Sequence, residues 1–180
     1  HNDQVREMAF AYLQNTGKYV KLRKKIKGKK KIYITETTDF NKTPEDLYKK
    51  ISELSNIQSK KKFDIFISHS FADQQKIIAL FKFLNQKGIV CYCYWTSDEE
   101  FLKRSMAGKY TEEVLKKRIQ QSKLILYVKS ERAAQSQWIS FELEYAKSLE
   151  KEIKAVGIES ITTEENLNEI LTILDSEKIL

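Results

Sequence analysis

From residue 63 onward, short apolar runs alternate with amphipathic stretches, and this rhythm restricts the possible folds more than any other feature of the chain. Phe63-Asp64-Ile65-Phe66-Ile67-Ser68, Ile89-Val90-Cys91-Tyr92-Cys93-Tyr94, Leu124-Ile125-Leu126-Tyr127-Val128 and Ile153-Lys154-Ala155-Val156-Gly157-Ile158 each read as a strand. Strands that are apolar on both faces must be covered on both faces, which a parallel sheet flanked by helices achieves. Between the first two, Ile77, Leu80, Phe81 and Leu84 recur at i, i+3, i+4 and i+7, so they predict a helix that stops near Gly88. Further helices are expected from a cap at Thr111, from about Gln137 to Glu150, and from roughly Glu164 to Leu174, with Lys178-Ile179-Leu180 entering a fifth strand. Right-handed crossovers confine such a chain to a doubly wound sheet, and such sheets bind ligands beyond the carboxyl ends of their strands. Residues 68–73, 95–110 and 130–137 are therefore the candidate site segments.

Residues 1–62 have another character. They carry sixteen basic against seven acidic side chains, a balance of +9, whereas 63–180 balance at −2. The chain divides on this ground into a small basic α+β extension, 1–62, and an α/β domain, 63–180. In the extension, Val5, Met8, Ala9 and Tyr12 predict a helix from Asp3 to about Thr16, and Tyr19–Arg23 and Ile32–Thr35 predict two strands joined near Gly28. Thr43-Pro44-Glu45-Asp46 reads as a helix start: a hydroxyl cap, proline at the first position, and acids at the positive end of the dipole. That helix is expected to reach Leu54 or Ser55. Eight basic residues crowd into 21–31, yet they match no nucleic-acid module, so nucleic acid is not the expected partner and the run reads as a solvated face. A sensor, an oligomerisation arm or a cap on the α/β domain are equal alternatives for the extension. The chain has no run of eighteen apolar residues and no basic-then-apolar leader, so no membrane span is expected and the cytoplasm is the expected compartment. Cys91 and Cys93, two apart, would share one strand face and read as buried free thiols.

Several chemistries are excluded by what is missing. The five glycines are scattered, so there is no phosphate-binding loop. His1 and His69 are the only histidines, which leaves no Ser/His/Asp triad, and no metal-ligand cluster is visible. An enzyme made from this chain has carboxylates, hydroxyls and aromatic rings to work with.

Two segments carry a resemblance. Asp64-Ile65-Phe66-Ile67-Ser68-His69-Ser70 resembles the opening strand and loop of Toll/interleukin-1 receptor (TIR) domains, above all prokaryotic ones. Ser136-Gln137-Trp138-Ile139-Ser140-Phe141-Glu142-Leu143 resembles their S-x-W-x-x-x-E segment. The resemblance covers about 62–180 and implies the TIR fold, a flavodoxin-like doubly wound parallel sheet. It also implies cleavage of NAD, as substrate rather than cofactor, at the nicotinamide–ribose bond, with Glu142 as the essential carboxylate. The chemistry suits a carboxylate: nicotinamide leaves a pyridinium as a neutral molecule and needs no acid, while the ribose turns cationic and gains from a fixed negative charge.

By the same resemblance, Ser68, His69, Ser70 and Phe71 line the nucleotide pocket. The residue-level alternative is turn chemistry, with Ser70 or Asp73 capping the next helix. His69 reads as a surface or pocket-edge residue. Trp138 is either a pocket wall or a core residue; with Tyr145 it would share the face of Glu142 and set that carboxylate between two rings. The connection Trp95–Tyr110, unusually long for a structureless segment, corresponds to the loop that gates the pocket and mediates assembly in TIR domains. Trp95 and Arg104 are its candidate substrate contacts. Many members end the second strand with aspartate where this chain has Tyr94-Trp95. The resemblance further implies activity on self-association, in prokaryotic anti-phage signalling. The competing readings are a non-catalytic TIR adaptor that signals by homotypic contact and, third, an enzyme related to nucleoside deoxyribosyltransferases.

Overall fold

The computed structural model describes residues 43–53, 58–98, 102 and 108–174, with Ala9 and Tyr12 also placed, both helical. Most of the helix expected at 3–16, the strands at 19–23 and 32–35, Arg104 and the fifth strand at 178–180 lie outside the described residues. The first continuous element is α1, Pro44–Ser52, and it starts as its sequence dictates: the Thr43 hydroxyl accepts from the Asp46 amide while the Asp46 carboxylate accepts from the Thr43 amide at 2.9 Å.

β1 (Phe63–Ser68), β2 (Cys91–Tyr92), β3 (Ser122–Lys129) and β4 (Ile153–Gly157) form one parallel sheet in the order β2-β1-β3-β4. Two cores sandwich it. On one face, α2 (Gln74–Gln86) and α5 (Glu164–Leu174) pack with Ile65, Ile67, Cys91, Cys93, Leu124, Leu126 and Val128. On the other, α3 (Lys109–Gln120), α4 (Gln137–Ser148) and α1 pack with Phe66, Tyr92 and Ile125. Both cysteines are free and buried on a single face. Leu47 and Ile51 of α1 join this second core, so a helix from the basic segment is built into the same interior as β1.

The second strand is shorter than its apolar run suggested. After Tyr92 the chain turns helical at Tyr94–Ser97, because the Cys93 carbonyl is taken by the amides of Thr96 and Ser97, at 3.0 and 2.8 Å, and by the Thr96 hydroxyl. The segment after β2 is therefore ordered at its root rather than structureless throughout. Helix α3 also begins earlier than Thr111: Gly108 is its N-cap, without a side-chain bond, and the Glu112 amide reaches the Gly108 carbonyl.

One charged group ties these pieces together. Arg118 on α3 is fully buried, and it donates to both oxygens of buried Asp98, at 2.8 and 3.1 Å. It also donates to the carbonyl and side chain of Gln58 and to Gln121, and its guanidinium lies over the rings of Phe63 and Tyr92. Burial pushes the Asp98 carboxyl up, but the Arg118 and Lys61 charges outweigh it and hold the group below the usual carboxylate range. Lys61, 4.0 Å from Asp98, is pushed down to about 8 by burial and by Arg118. Replacing one partner strands the other charge, so Arg118→Met is expected to cost about 3–5 kcal/mol. Lys49→Ala, which removes the exposed pair with Glu45, is expected to leave stability nearly unchanged, because solvent screens that pair. Urea unfolding of the two variants checks the contrast.

Candidate active site

The strand order places a switch point between β1 and β3, whose chains leave toward opposite ends of the sheet. Ser68 is the last residue of β1. Helix α4 starts at Ser136, whose hydroxyl accepts from the Ile139 amide, buries Ile139 and Ala146, and contacts both β1 and β4, so it crosses above β3. Halfway along it Glu142 points inward, 5% exposed, and the Ser68 hydroxyl donates to its Oε2 at 2.6 Å. Burial pushes the Glu142 carboxyl up to about 8, with the Ser68 bond pulling the other way. A short hydrogen bond thus joins a strand end to a buried acid at the carboxyl ends of the strands, the side on which doubly wound sheets bind ligands.

The loop after β1 is braced on both sides. His69 is buried rather than at a surface or pocket edge: Nδ1 lies 2.9 Å from the Ile67 carbonyl and must donate to it, which leaves Nε2 as the acceptor facing the Cys93 thiol at 3.7 Å. Its ring stacks on Tyr94 at 5.6 Å, and burial pushes its pKa down to about 4, so the imidazole is neutral at pH 7. The Ser70 hydroxyl accepts from the Ala72 amide and caps the short 3-10 turn Phe71–Asp73, in which Phe71 is half-buried. Ser130, just beyond β3, donates to Asp73 at 2.6 Å, and Arg132 approaches the same carboxylate at 3.8 Å. The first and third candidate segments are thereby linked across the switch point.

Trp138 and Trp95 lie on two further helical segments. Trp138 is 36% exposed, and its ring meets Phe141 edge-on at 6.3 Å; Tyr145 stacks on Phe141 from the other side, with Lys116 over both Phe141 and Tyr145. The aromatic row is centred on Phe141, which with Tyr145 packs against the second core, while the Glu142 carboxyl turns to Ser68. Helical spacing sets Trp138 and Tyr145 four before and three after Glu142 on α4, and the sheet below adds Ser68. Trp95 falls in the helical turn after β2, and the described structure ends that turn at Asp98. Three residues passed unnoticed in the sequence. Asp98 opens an acidic run that looks solvated, and nothing local announces Arg118 twenty residues on. Tyr127 reads as one more apolar strand residue until its register with Ser68 is known.

A parallel sheet in this order, with an inward glutamate of S-x-W-x-x-x-E at the end of β1, defines a class of protein. The chain belongs to the TIR domain family, whose profile matches residues 65–175. It is 50% identical over 157 residues to a protein of Cytobacillus dafuensis named putative cyclic ADP-D-ribose synthase TIR2, covering 87% of this chain and 41% of that one. That match is longer than the segment 63–180, so it extends into the basic amino-terminal residues. A protein of Bacillus cereus (strain MSX-D12) named probable 3' cyclic ADP-D-ribose synthase ThsB' is 30% identical over 113 residues, covering 63% of this chain and 58% of the relative. The chain thus spans less than two thirds of either relative. Among solved structures, a metazoan TIR-STING receptor from C. gigas aligns with a TM-score of 0.47 at 20% identity, over 63% of this chain and 40% of that one.

The buried acid carries a pH signature. With an ordinary value of 4.5 and about 8 in the fold, Glu142 holds its proton in the native state across a window where the unfolded chain has released it. Its contribution to stability is complete below about 4.5 and is lost as pH rises through 8, at up to roughly 1.4 kcal/mol per unit. Glu142→Gln keeps the shape without the titration. The variant is expected to melt close to wild type near pH 4.5 and above it at pH 8 to 9, by several degrees in thermal unfolding.

Proposed function

We propose that this chain is a TIR-type NAD-cleaving enzyme that breaks the nicotinamide–ribose bond with Glu142 and yields a cyclic ADP-ribose. The observation that carries this reading is the Ser68–Glu142 pair, a buried carboxyl held at 2.6 Å at the carboxyl end of the central strands. The names of the two relatives support the cyclic product over simple hydrolysis.

The electron pair of the C1'–N bond departs with nicotinamide, which leaves neutral, and the ribose becomes oxocarbenium-like. Ionised Glu142, with one oxygen fixed by Ser68, stabilises that cation from a water-poor position. Attack at C1' by a nucleophile of the same ADP-ribose unit, with loss of its proton, closes a ring; attack by water gives ADP-ribose. The carboxyl rests protonated near neutrality, and the positive pyridinium–ribose favours its ionised form on binding. NAD is the substrate in this reading, and no separate cofactor is required. Self-association that completes the pocket, a place in prokaryotic anti-phage signalling and a cytoplasmic setting belong to the same proposal. Among the described residues, no helix is long and apolar enough to cross a membrane.

Nicotinamide release from NAD by concentrated protein, with chromatographic identification of the product, tests the reading. Glu142→Gln is expected to lose about 10²–10³-fold in rate with its fold intact. Wild-type activity is expected to climb with pH toward a plateau above about 8. Ser68→Ala, which removes the bond that lowers the Glu142 pKa, is expected to move the midpoint upward. Absence of turnover at every concentration would leave a homotypic interaction module in place of the enzyme.

A further inference from the structure

Tyr127 is the third residue from the end of β3 and stands in register with Ser68 on β1. Paired residues of parallel strands project to the same side, about 4.8 Å apart. Leu126 and Val128 occupy the core on the α2 side, so Tyr127 projects toward α4, on the side where Ser68 meets Glu142. It is half-buried, yet it packs against neither core, unlike the neighbouring aromatics Phe141 and Tyr145. Its hydroxyl has no hydrogen-bond partner among the described residues, whereas that of Tyr145 is held by Gln120 at 2.7 Å. The ring thus belongs to neither core and stands near a strand end, on the side of the sheet where Ser68 meets the buried acid.

We propose that Tyr127 is the specificity residue for the positive charge of the pyridinium ring, its phenol face receiving the nicotinamide end of NAD beside Glu142. This rests on the NAD-cleaving reading. An aromatic face attracts a cation through its quadrupole, and the attraction is larger where water is excluded. The neutral nicotinamide released by cleavage no longer feels it, so the ring holds substrate better than product. Where the pyridinium ring keeps most of its charge up to the transition state, the contact holds substrate and transition state alike, so its loss raises KM and spares kcat.

The test compares NAD with NADH, the same dinucleotide carrying a neutral dihydropyridine, as a competing ligand. Tyr127→Leu is expected to raise KM for NAD about 3- to 30-fold, with kcat within about threefold of wild type and the inhibition constant of NADH unchanged. Tyr127→Phe keeps the ring and is expected to behave as wild type; Tyr127→Met replaces the leucine variant if that one does not fold. Equal weakening of NAD and NADH would make Tyr127 a general pocket wall and overturn the charge-selective role, as would a phenylalanine variant as impaired as leucine or a leucine variant without effect. Wild-type protein that releases no nicotinamide would overturn the parent reading and this one with it, an outcome visible before any variant is made.

Discussion

Arg118 is a cation removed from water altogether, and the structure around it is arranged to make that tolerable. An isolated buried guanidinium is costly, so its donors must be answered by groups brought from elsewhere in the chain. Asp98 comes from the root of the segment after β2, Gln58 from the approach to β1, and Gln121 from the end of α3 itself. The need to satisfy one charge therefore positions the entry to the sheet, the exit from its edge strand and the helix between them. Phe63 and Tyr92 close the site with their rings, which lowers the local dielectric and strengthens the bonds inside.

The Ser68–Glu142 pair is the opposite arrangement. Here a carboxyl is buried with a neutral hydroxyl and, among the described residues, no cation paired to it, and burial dominates its titration. Asp98 and Glu142 are both buried acids, yet one is held ionised by Arg118 and the other is held toward its protonated form. That separation follows from their neighbours: a fixed guanidinium faces the first acid, and only a hydroxyl faces the second. His69 and the Asp73–Ser130 bond hold the surrounding loops, so the acid is buttressed by neutral contacts that do not compensate its charge.

Glu142 could be found in the sequence because the motif around it is local: serine, tryptophan and glutamate lie within one helix, and a helix translates spacing directly into position. The strands and helices of 63–174 were legible for the same reason, since apolar periodicity reports which faces must be buried. Where the reading failed, a non-local demand prevailed. The run Ile89–Tyr94 promised a longer strand, but the Cys93 carbonyl is taken by the following turn, which delivers Asp98 to Arg118. His69 looked like a pocket-edge side chain, but the Ile67 carbonyl and the end of β2 draw it inside.

By itself, the order of residues determined the alternation of strand and helix and the two-sided burial of the sheet, because each depends on neighbours within a few positions. Only the tertiary structure decided what Glu142 touches, which tyrosine stands beside it and which aspartate is buried with an arginine. Those pairings join residues twenty to more than seventy positions apart, and the sheet register that brings them together is a property of the assembled strands rather than of any one segment.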